Sequence, residues 1–159
     1  MKYTFESVED TEKLSLSSKI CNLIESYADY GNQFSLVCGK IKSLFGQPVY
    51  ETENLENLFD YCILATSEDK EAVYLNVYCA GTGPAIGGEN NEASKKAAEA
   101  LMDQILQAEP VDYAQKAYYM DGPTVVEYGI KGGVPYYKES ELNLSEKEFS
   151  ELYARLYDL

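Results

Sequence analysis

The chain has 159 residues, 45 % of them apolar and 25 % charged, with 27 acidic residues against 13 basic ones, a net charge of −14 and a pI near 4.3. These proportions fit a single globular domain, residues 1–159, with its own core, and are too apolar for a disordered tail. The acid surplus repels nucleic acid and anionic membrane surfaces, which bind Lys/Arg-rich proteins, and favours a basic protein partner.

Tyr3 and Phe5 alternate with polar neighbours and predict a short strand. Leu16, Ile20, Leu23, Ile24 and Tyr27 fall on one helical face, predicting a helix that ends before Gly31. Phe34, Val37, Ile41, Leu44 and Phe45 repeat the pattern, and Gly46 followed by Pro48 stops the second helix. The short link Gly31-Asn32-Gln33 would make the two an antiparallel pair. Pro48 to Glu51 suits a short edge strand. Residues 59–66 and 73–79 alternate around the polar connector 67–71, predicting an antiparallel hairpin with nearly continuous apolar centres. A glycine-rich loop, residues 81–88, precedes a helix from about Asn91 to Ala108, with Ala93, Ala97, Leu101 and Ile105 on one face. Residues 113–120, 124–130 and 134–138 read as three strands joined by glycine turns. Ser145 and Glu148 form a capping box, with Leu144 and Phe149 as its hydrophobic staple, and Phe149, Leu152 and Leu156 are expected to face the core. The expected fold is α+β, a mostly antiparallel sheet with helices packed on it, in the order β-α-α-β-β-β-α-β-β-β-α.

There is no histidine. Its absence removes Ser-His-Asp and Cys-His catalysis, most zinc sites and the usual general base near neutral pH. Cys21, Cys38, Cys62 and Cys79 have no C-x-x-C spacing, so they read as buried free thiols. No metal or cofactor motif is encoded, and a non-enzymatic protein is expected. No run approaches 18 apolar residues, and Met1 to Glu6 carry no signal-like apolar run, so no membrane association and a cytoplasmic location are expected.

Three features carry functional readings. Gly81, Gly83, Pro84, Gly87 and Gly88 imitate a phosphate loop between strand and helix. Yet Ile86 stands at the third glycine of the dinucleotide pattern, and no Lys follows Gly87 or Gly88. The loop thus reads as structural or as one side of a pocket. Tyrosine makes up 15 of the 20 aromatics. An outward row from Tyr74, Tyr78, Tyr119 and Tyr137 would suit an interface, where tyrosine combines apolar area with a hydroxyl. Glu51, Glu53, Glu56 and Asp60 fall within ten residues free of Lys and Arg, which makes them the better candidate for a docking surface.

A small acidic α+β chain with tyrosine-rich strands, the acid cluster Glu51 to Asp60 and no catalytic histidine resembles, at class level, the immunity proteins of bacterial polymorphic toxin and contact-dependent inhibition systems. That resemblance implies a protein that neutralises a cognate basic toxin, of nuclease type, by direct binding. The alternative is a small-ligand binder or a carboxylate/Mg-dependent enzyme using the 81–88 segment.

Overall fold

The computed structural model describes residues 2–10, 12–13, 17–80 and 83–157. In chain order they form β1 (Tyr3–Val8), β2 (Ser18–Asn22), α1 (Tyr30–Phe45), β3 (Tyr50–Glu51), β4 (Asn57–Ser67), β5 (Ala72–Ala80), β6 (Gly83–Gly88), α2 (Glu92–Gln107), β7 (Tyr113–Tyr119), β8 (Thr124–Lys131), β9 (Val134–Glu141) and α3 (Glu146–Tyr157). The α+β class and the antiparallel pairing are those expected from the sequence.

The larger sheet runs β1-β4-β5-β6-β2, with β3 beside β1 on the same edge of β4, and the smaller runs β7-β8-β9. The β4–β5 hairpin is its centre. Phe59, Tyr61 and Ile63 pair with Cys79, Val77 and Leu75 and turn one apolar face toward the helices. The 67–71 turn closes on Lys70 at φ 67° and a Ser67 N–H to Glu71 carbonyl bond of 2.8 Å.

Helix α1 packs on β8 and β9 and also touches β6 and α2, so it joins the two sheets. Small residues let it approach the smaller sheet. A Cβ on Gly31 would stand 2.7 Å from the Tyr137 ring, and one on Gly39 would collide with Ile130 Cδ1. Ser35 donates its hydroxyl to the Tyr136 carbonyl at 2.5 Å and accepts the Tyr113 hydroxyl on its own carbonyl at 2.8 Å. Phe34, Val37, Cys38 and Ile41 share one core with Leu58, Ile86, Leu101, Ala117, Val126 and Tyr128. That core spans both sheets. Cys38, Cys62 and Cys79 are buried free thiols as expected, and Cys21 is half-buried.

Five expectations are corrected. The helix read over 16–27 is absent from its described part. Ser18–Asn22 is instead a strand against β6, and residues 23–27 are irregular. The periodicity is local, but β6 is rich in glycine and needs a covering neighbour. Ile20 supplies it, its Cδ1 lying 3.1 Å from where a Gly88 Cβ would be, so pairing overrides the helical pattern. Gly31-Asn32-Gln33 is consequently the first turn of α1, not a link. The described part of the glycine segment, Gly83–Gly88, is a fully buried strand, and Gly81 lies outside the described residues. Finally, α3 has its capping box, with Glu148 N–H to Ser145 Oγ at 3.2 Å and Ser145 N–H to Glu148 Oε1 at 3.3 Å, but none of its residues is fully buried. Phe149, Leu152 and Leu156 are half-buried at the surface. In α2, Ser94 replaces Ala93 on the inner face. Among the described residues, no helix is long and apolar enough to cross a membrane.

Candidate functional site

The acidic segment does not form one patch. Glu51 leaves β3 toward Lys42 on α1, at 3.2 Å. Glu53 meets Arg155 of α3, also at 3.2 Å. Glu56 accepts a hydrogen bond from the Tyr157 hydroxyl at 3.1 Å. Asp60 lies on the sheet face turned away from the helices, where Asn76 donates to it at 3.0 Å. Burial raises the Asp60 carboxyl above its ordinary value, and the Asn76 bond opposes that rise. The segment lacks internal cations, but the fold brings two from elsewhere.

Tyr78 pairs with Asp60 across β4 and β5 and shares its face. Burial, then the Asp60 charge, raises the Tyr78 phenol. Tyr74 stands on the same face under Lys13, whose Nζ lies 5.1 Å from the ring centre. The glycines explain this side of the sheet. A Cβ on Gly87 would come within 3.0–3.2 Å of Ser18 O, Asn76 Oδ1 and the Tyr78 ring, so glycine makes room for side chains from the neighbouring strand. Pro84 accepts the Leu23 N–H on its carbonyl at 2.9 Å. The segment Gly83–Gly88 is flanked by β5 and β2, so its backbone is engaged in the ladder rather than arranged to cradle a phosphate.

Glu56, Tyr119, Tyr137 and Gly83 do converge. They line a cavity of about 150 Å³ where the two sheets and α1 meet. The first turn of α1 contributes Tyr30 and Phe34, and β5 contributes Cys79. Leu55 and Glu56 come from the β3–β4 turn, which is pinned to the end of β7 by Tyr118 N–H to Glu53 O at 2.6 Å and Leu55 N–H to Tyr118 O at 2.9 Å. Asn54 braces the turn by accepting the Glu56 N–H on its side chain at 3.0 Å. Gly83 sits at φ 99°, and a Cβ there would lie 2.6 Å from the Tyr30 hydroxyl, so only glycine fits easily.

The walls are aromatic. Phe34 meets Tyr137 edge-on, with centroids 6.2 Å apart, and stacks on Tyr30 at 6.1 Å. Tyr30 in turn stacks under Tyr27 at 6.0 Å. Tyr27 is 89 % exposed, so the stack runs from solvent to the core. Burial raises the phenols of Tyr30 and Tyr137 and the Cys79 thiol, and the hydrogen bond to Asp121, at 3.1 Å, raises that of Tyr119. All four stay neutral at physiological pH, which leaves the Glu56 carboxylate as the one formal charge among the described residues of the lining. Arg155, the only arginine in the chain, is already engaged by Glu53 and by the Tyr118 ring, 5.5 Å away.

Tyr30, Phe34, Leu55 and Cys79 are pocket residues that sequence reasoning missed; Phe34 was visible only as a core position. The available signal was the aromatic pair Tyr30/Phe34 at i, i+4, with Tyr27 one turn before it. Comparison with protein-family models, curated proteins and solved structures finds no match for this chain.

Proposed function

We propose that this chain is an acidic protein-binding module for a basic partner, acting as immunity proteins do, by occupying a toxin domain rather than by chemistry. The observation that carries this reading is the convergence of an exposed carboxylate, Glu56, with the rings of Tyr119 and Tyr137 beside the solvent-facing ring of Tyr27. Large aromatic rings next to charge are the usual anchors of a protein interface. The charge supports it. With 27 acidic residues against 13 basic ones, the chain carries 14 negative charges that no Lys or Arg of its own can balance. Such a field speeds encounter with a basic surface. A nuclease-type toxin, itself basic because it binds nucleic acid, is the partner to try first, and a cytoplasmic encounter fits that reading.

The test is capture at low ionic strength followed by elution with salt. A partner of high pI that elutes as salt rises is expected, and Tyr27→Ala should weaken its binding about tenfold while leaving the fold intact. An acidic partner, or one still held at about 1 M salt, where charge attraction is screened within a few Å, contradicts the proposal.

A further inference from the structure

We infer that the cavity between Tyr30, Tyr119, Tyr137 and Glu56 is a site for an organic cation, the guanidinium or ammonium end of an Arg or Lys side chain of the basic partner. For the source of that cation the inference rests on the proposed function; the chemistry of the site stands apart from it. Size comes first. About 150 Å³ is half the lower end of the range for clefts that hold drug-sized ligands, roughly 300–1,000 Å³, so it suits one side-chain end rather than a metabolite. Charge comes second. Among the described residues no Lys or Arg lines the cavity, and Glu56 does. Asp121 holds the Tyr119 hydroxyl at 3.1 Å, adding a second carboxylate beside the pocket. The rings come third. A cation within about 6 Å of a tyrosine face is attracted by the ring quadrupole, most strongly where water is excluded. Phe34, 3 % exposed, closes the floor. The structure already holds its own cations this way, Arg155 over Tyr118 and Lys42 over Tyr113 at 5.6 Å.

Glu56 can bind without rearranging the turn. Its backbone is fixed by Asn54, and one carboxylate oxygen accepts from Tyr157, leaving the other for a cation's N–H. A charge-assisted hydrogen bond of this kind is stronger than a neutral one.

The experiment is an NMR titration of the full chain with n-butylguanidinium, n-butylammonium and, as the neutral match, n-butanol. Both cations should shift the ring signals of Tyr30, Tyr119 and Tyr137 with a Kd of about millimolar order, and n-butanol should bind at least about tenfold more weakly. Glu56→Gln, which keeps an acceptor for Tyr157, should weaken the cations about tenfold and leave n-butanol unchanged. Tyr119→Leu should weaken them about threefold. Glu71→Gln, in the β4–β5 turn, removes one negative charge equally and should change nothing. Equal binding of n-butanol, no response to Glu56→Gln, or shifts spread over the carboxylates with none at the three rings would each overturn the inference. The two readings fail separately. Cations that bind as described beside a partner indifferent to salt leave the site standing and remove the docking model. A salt-sensitive partner with cations that never enter does the reverse.

Discussion

The turn at residues 53–56 and the strand Gly83–Gly88 meet at one cavity, yet they are built on opposite principles. The strand lies between β5 and β2 and every residue of it is buried. The turn is exposed at Glu53 and Glu56 and is held by side chains from distant elements, Arg155 and Tyr157 of α3, together with two backbone bonds to β7. The difference separates scaffold from site. The glycines, which imitate a phosphate loop, make space for packing, while the acidic run, the better candidate for a docking surface, places one carboxylate, Glu56, at an aromatic wall.

Mutations should reproduce that contrast in descending order. Ile86→Ala empties a fully buried position in the strand and should cost about 2–5 kcal/mol in denaturant unfolding. Gly83→Ala meets the Tyr30 hydroxyl at a positive φ and should cost about 1–3 kcal/mol by the same measurement, with the Tyr30 and Tyr137 ring signals displaced. On the turn, Glu53→Gln breaks a half-exposed ion pair and should cost under about 1 kcal/mol, while exposing α3 to limited proteolysis sooner. A loss from Glu53→Gln as large as that from Ile86→Ala would erase the distinction.

The smallest effect is electrostatic. Burial raises the Asp60 carboxyl above its ordinary 3.8, so the folded chain holds that proton more readily than the unfolded one. The stability gained is complete below 3.8 and is lost as pH rises through the raised value. Near neutral pH the buried charge therefore opposes folding. Asp60→Asn, which can still accept from Asn76, should raise Tm slightly at about pH 7, with the gain vanishing near about pH 3. A Tm that falls at neutral pH would show that the Asp60 charge stabilises the fold.

Much of the architecture was legible because its determinants are local. The β4–β5 hairpin follows from alternation, the end of α1 from Gly46 at φ 69°, and the start of α3 from Ser145 and Glu148. Strand β2 was not legible, because Ile20, Leu23 and Ile24 satisfy a helical period and only the bare edge of β6 makes a strand the better solution. The site was half legible. Glu56, Tyr119 and Tyr137 stood out by residue type, but Tyr30 and Cys79 join them only through long-range packing. Arg155 lies 102 residues from Glu53, beyond the reach of a window along the chain, and Lys42, only 9 residues from Glu51, meets it because the chain turns back between α1 and β3.

The central claim is that the uncompensated carboxylates draw in a basic partner. Its most direct test is the association rate constant with the captured partner between about 50 and about 500 mM salt. The account expects that rate to fall at least about tenfold while dissociation changes far less. An association rate that stays constant across the range would contradict it.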